Sequence, residues 1–103
     1  MLTVINFTDQ QRIELLERFP IDETVKKYPN SVIDKILRLN IAIGLYFKNQ
    51  TEAAIYLEVK QPSICKYLKG QLPLPLHRAE KLEEISKKSV LAQDICFTLD
   101  EVK

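Results

Sequence analysis

Between Asn49 and Gly70 the chain reads NQTEAAIYLEVKQPSICKYLKG, and local chemistry leaves this stretch few ways to fold. Asn49 with Glu52 after it is a helix start of the capping-box kind, in which a short polar side chain accepts from an otherwise unpaired first-turn amide. Ala53, Ala54 and Leu57 then share one side of the helix. Glu58, Val59 and Lys60 make a turn. A second helix opens around Gln61 and Pro62, where proline is tolerated because a first-turn amide has no intrahelical acceptor anyway. Ile64, Tyr67 and Leu68 recur at the spacing of a buried stripe. Gly70 closes the helix as a left-handed cap. The expected unit is two short helices crossing closely at Ala54, with Val59 plugging the base of the turn.

At about 100° per residue, the second helix turns Ile64, Tyr67 and Leu68 inward. Pro62, Lys66 and Lys69 then point outward, with Cys65 beside them and Gln61 and Ser63 on the flanks. Lys60, Lys66 and Lys69 carry positive charge, and no acid lies between Val59 and Gly70. A helix face of this kind suits the major groove of a DNA duplex.

Gln50, Ala54, Leu57, Val59, the run Gln61-Pro62-Ser63-Ile64 and the run Tyr67-Leu68-Lys69-Gly70 together resemble the Cro and lambda-repressor-like helix-turn-helix proteins. Within that family they look like the short Cro-like prophage regulators and antitoxins. The resemblance covers the middle third of the chain, continues weakly through Pro75 into the next helix, and does not reach residues 1–30. Two positions depart from the family pattern. Glu58 stands where the family prefers glycine, so a residue with a Cβ must take whatever backbone the turn demands. Lys60 stands where a serine or threonine cap is usual, and losing such a cap costs about 1 kcal/mol.

The expected fold is therefore mainly α: a lambda-repressor-like helix-turn-helix core over residues 31–88, an extra helical segment over 1–30 and a tail over 89–103, all in one domain. The expected function is sequence-specific binding of double-stranded DNA by a transcriptional regulator such as a repressor. Gln61 is the first choice for reading a base, since its amide donates and accepts along adenine's major-groove edge. Ser63 and Lys66 come next, Lys66 suiting guanine acceptors. Pro62 offers apolar contact to a thymine methyl, and Lys60 and Lys69 suit phosphates. The resemblance implies that Gln50 holds a phosphate and braces its counterpart on the second helix. One short helix reads few base pairs, so a homodimer facing half-sites about one DNA turn apart is expected.

Outside this stretch the reading is coarser. Leu2–Phe7 leans towards β structure. Thr8 to Gln11 is a capping box opening a helix that turns Ile13, Leu16 and Phe19 inward and stops at Pro20. In that helix Glu14 and Glu17 alternate with Arg12 and Arg18, the pattern of a solvated face. Asp22–Tyr28 suggests a second short helix ended by Pro29. Ser31 with Asp34 starts a long apolar helix, in which Gly44 either lets another backbone come close or marks a kink near Asn40. A last amphipathic helix runs from Leu76 to about Ser86, with Leu76, Ala79, Leu82 and Ile85 inside. His77 and Arg78 stand at its exposed start, where a helix N-terminus could meet a phosphate. Ile95 to Leu99 alternates like a strand, whose partner is either the Leu2–Phe7 run or the same tail of a second subunit.

Length, composition and motifs exclude much else. A chain of 103 residues, 46% hydrophobic and 28% charged, buries a modest core without disulfides or metal. Cys65 and Cys96 lack metal-ligand spacing and read as reduced thiols of a cytoplasmic protein. No segment has the length to span a bilayer or the pattern of a secretion signal. The lone His77 has no ligand cluster around it, and two glycines cannot build a phosphate loop, so no cofactor and no catalysis are expected. The net charge of +1 supplies no global pull towards nucleic acid. That near-neutrality and the unmatched N-terminal third sustain a rival reading: a protein-interaction module, an antitoxin gripping its toxin or a phage-encoded inhibitor of a host protein, built on the same scaffold.

Overall fold

A computed structural model of the protein describes residues 6–102. Five α-helices and three short 3-10 turns are present, and no strand occurs among the described residues. Helix α1 (Asp9–Arg18) starts with the expected reciprocal cap: Thr8 Oγ1 accepts from the Gln11 amide, and Gln11 Oε1 accepts from the Thr8 amide. It ends at Arg18 with Phe19 as its C-cap, ahead of Pro20.

Leu16 and Phe19 pack against the core as expected, but the rest of the inward face of α1 differs from the expected one. Ile13 is 55% exposed, while Arg12 is only 8% exposed and points into the protein. There its guanidinium donates to both oxygens of Asp34 (2.7 and 3.0 Å), to Asp9 (2.9 Å) and to the Phe7 carbonyl (2.8 Å). Asp34 is fully buried and also accepts from the Phe7 amide. A buried charge survives only when paired and hydrogen-bonded, and this pair meets both conditions. Asp34 thus holds Arg12 of α1 rather than capping its own helix. Helix α2 (Asn30–Tyr46) begins directly after Pro29 with no side-chain cap at all. Between α1 and α2 the expected second helix is a single 3-10 turn, Val25–Lys27, whose Val25 is buried.

Helix α2 is the axis of the molecule. It runs unbroken past Asn40, whose side-chain amide donates to the Ile36 carbonyl and across to the Leu68 carbonyl. Its first half (Val32, Ile33, Ile36, Leu37) packs with Ile21, Val25 and Phe97. Its second half (Leu39, Ile43) packs with Phe47 and the three helices that follow, α3 (Gln50–Leu57), α4 (Gln61–Lys69) and α5 (Leu76–Ile85). Gly44 has no atom near enough to meet an added Cβ, so no backbone approaches it. In α5, Ala79 and Leu82 are buried as expected, but Leu76 at its first position is exposed.

The tail is not a strand. A 3-10 turn at Ala92–Asp94 leads into an irregular segment and a final turn at Leu99–Val102. Its alternation still reports burial, since Ile95 enters the α3–α5 core and Phe97 the other. Phe97 meets Tyr28 edge-on, and Lys35 pairs with Glu101 at 2.7 Å. Of the expected Leu2–Phe7 strand, residues 2–5 lie outside the described residues, and Asn6 and Phe7 have no regular structure. Among the described residues no helix is long and apolar enough to cross a membrane.

Candidate functional site

The stretch that dominates the sequence folds as its local signals require. Asn49 caps α3 by accepting from the Glu52 amide at 2.8 Å, and Ala53, Ala54 and Leu57 are buried. Glu58 then takes left-handed backbone (φ 58°, ψ 43°), which lets the Val59 amide return to the Ala54 carbonyl at 3.0 Å. A residue with a Cβ pays about 1–2 kcal/mol for that conformation. Helix α5 supplies the compensation. Lys81 Nζ lies 2.9 Å and Arg78 Nη1 3.6 Å from the Glu58 carboxylate, and Arg78 also donates to the Leu57 carbonyl at 2.7 Å. Lys81 first, and Arg78 after it, hold the Glu58 carboxyl below its usual range. Arg78 therefore clasps the end of α3 instead of waiting for a phosphate, while His77 beside it is exposed.

Lys60 precedes α4 in extended backbone and makes no side-chain cap, as its departure from serine or threonine implies. Ile64 and Leu68 are buried and Tyr67 packs at the edge of the same core. Gly70 has φ of 79°, and an added Cβ would lie 2.7 Å from Ile36 and 2.8 Å from Val25. Glycine is thus required twice, for its backbone and for the space. The last carbonyls of α4 are also tied down: Leu68 accepts from Asn40 at 2.8 Å, and Lys69 accepts from the Asp22 amide at 3.0 Å.

With its inner face and C-terminal end fixed, α4 leaves Gln61, Pro62, Lys66 and Lys69 exposed, with Lys60 exposed beside them. Ser63 is half-buried. Gln50 is exposed at the start of α3, and its Oε1 accepts from the Cys65 thiol at 3.0 Å. The bond Gln50 makes from α3 to α4 is thus to Cys65.

Two contributors escaped the sequence reading. Asp22 arrives beside Lys69 from the N-terminal segment, bringing an acid to a helix that has none. Its carboxylate accepts from the Thr24 hydroxyl (2.6 Å) and amide (2.9 Å) and from the Gln71 side chain (2.7 Å). Those bonds, the Thr24 hydroxyl foremost, pull it down to about 2, with Lys69 adding to the effect. Asp22 with Thr24 two residues on is a legible local turn signal, but nothing local reveals that the turn docks on α4. The clasp from Arg78 and Lys81 was equally hidden, because Lys81 among Glu80, Glu83 and Glu84 looks like an ordinary wet helix face.

The chain is thus a mainly helical protein whose fourth helix carries an open, lysine-bearing face. No protein-family model, curated protein or solved structure matches the chain.

Proposed function

We propose that α3 and α4 are a helix-turn-helix of the lambda-repressor-like kind and that the protein is a sequence-specific, double-stranded-DNA-binding transcriptional regulator of the cytoplasm. The observation carrying this reading is the outer face of α4: Gln61, Pro62, Lys66 and Lys69 are exposed together on a helix anchored at its inner stripe and its C-terminal end. In this reading α4 enters the major groove. Gln61 pairs with an adenine edge, Ser63 and Lys66 are the next base readers, and Pro62 touches a thymine methyl. Lys60, Lys69 and Gln50 meet phosphates and set the register. A homodimer places two such helices about one turn apart on the duplex. No catalytic role enters this scheme.

The deciding experiment is a fluorescence-anisotropy titration with random-sequence duplex DNA at low and moderate salt, followed by selection of bound duplexes. Salt-dependent binding and a palindromic consensus are expected. Gln61→Ala should then lose about 1–3 kcal/mol of discrimination at one base position while keeping non-specific affinity. A protein that ignores duplex DNA even at low salt would end this reading.

One observation favours the rival from another class. Ile55 is 74% exposed and its neighbour Tyr56 is also exposed, both on α3. Apolar and aromatic anchors of this sort suit a protein partner, such as a toxin or a host protein, better than a duplex. Substitution of Ile55 and Tyr56 by serine separates the two, since DNA binding by α4 survives it and protein docking does not.

A further inference from the structure

We infer that the N-terminal segment, which the helix-turn-helix resemblance leaves out, adds a phosphate contact to the DNA interface through Arg18. This rests on the DNA-binding reading above. Helix α1 ends at Arg18, and the chain then crosses to the C-terminal end of α4, where the Asp22 amide meets the Lys69 carbonyl. That route opens a shallow groove of about 250 Å³ lined by Arg18, Phe19, Pro20, Gln50, Cys65 and Lys69, among others. Gln50 and Lys69 were assigned to phosphates on other grounds. Arg18 stands at the same groove, so a strand of DNA backbone lying along Gln50 and Lys69 passes within reach of it.

The chemistry of the groove suits an anion. No carboxylate lines it, and Asp22 nearby is already engaged by Thr24 and Gln71. Arg18 is exposed, makes no ion pair among the described residues, and holds its guanidinium carbon 5.7 Å from the centre of the Phe19 ring. Stacking on a ring restrains a long side chain before any ligand arrives, so less freedom is lost when its planar fork takes two phosphate oxygens. Phosphates carry no sequence information, so the contact strengthens binding to every duplex alike.

The test is an anisotropy titration with random-sequence duplex DNA across a salt series, comparing the unaltered protein with R18Q, R18K and K69Q. Far-UV circular dichroism checks that the folds match, which the exposure of Arg18 and Lys69 leads one to expect. R18Q should lower the slope of log K against log salt by about 0.9, R18K should keep it, and K69Q should lose a similar increment. An unchanged slope for R18Q overturns the inference, and if K69Q loses its increment the regulator reading still stands. Absence of salt-dependent binding by the unaltered protein removes both.

Discussion

Along α2, Leu39 and Ile43 face a core closed by α3, α4 and α5, whereas Val32, Ile33, Ile36 and Leu37 face one closed by Ile21, Val25 and Phe97. The first core is assembled from segments that follow one another in the chain, joined by short turns with strong local signals. The second is assembled from both ends of the chain and is stitched by an ion pair between residues far apart in sequence. Local chemistry is enough to build the half that carries the candidate site. The half that supports it depends on long-range pairing, and it reaches the site at Gly70, which sits against Ile36 and Val25.

The sharpest way to break the contrast is Asp34→Ala. It strands the Arg12 guanidinium in a buried place, and urea unfolding should register a loss of about 3–5 kcal/mol. Replacing both partners, as R12M with D34L, should recover most of that, because apolar groups of similar volume need no partner. If the single change is nearly silent, the N-terminal core is not held by this pair. Gly70→Ala tests the junction of the two cores. A left-handed backbone and a crowded Cβ together should cost about 1–3 kcal/mol, read in the same assay.

Within the α3–α5 half, Glu58 offers a smaller and more discriminating test. Glu58→Gly removes the backbone strain and loses only a surface ion pair, worth about 0–1 kcal/mol, so stability should hold or rise slightly. Glu58→Ala keeps the strain and loses the pair, so it should be the less stable of the two by a melting shift in thermal denaturation. The smallest effect expected is in the pH dependence of stability. The Asp22 carboxyl is depressed to about 2 in the folded protein, below its unfolded value. Its contribution is therefore complete above the unfolded value and is lost as pH falls through about 2. Asp22→Asn should flatten that limb of the stability–pH curve by lowering stability slightly at neutral pH, while the acid end stays almost unchanged.

These differences follow which signals are local. Asn49, Pro62 and Gly70 act on their own backbone, so the bounds of α3 and α4 and their inner stripes were readable. The strain at Glu58 was also readable, because a turn that prefers glycine imposes its geometry on whatever stands there. Arg12 is hidden because alternating arginine and glutamate looks alike whether one of them faces water or an acid from another helix. Leu76 looks interior because it extends, one turn early, the stripe buried at Ala79 and Leu82. The tail looks like a strand because Ile95 and Phe97 are both buried, but the alternation fails at Leu99, which is exposed. A ladder also needs a neighbouring strand, and among the described residues helices and loops offer none.

Ile95 and Phe97 are separated by a single residue, yet each fills a different hydrophobic reservoir. The short length of chain between them works as a rivet: the halves of the molecule cannot drift apart without extracting one of these side chains. Heating should accordingly melt the intact protein in one step, with the supporting half lending its resistance to the half that presents α4. Clipping the chain ahead of Ile95 would uncouple them and broaden the transition.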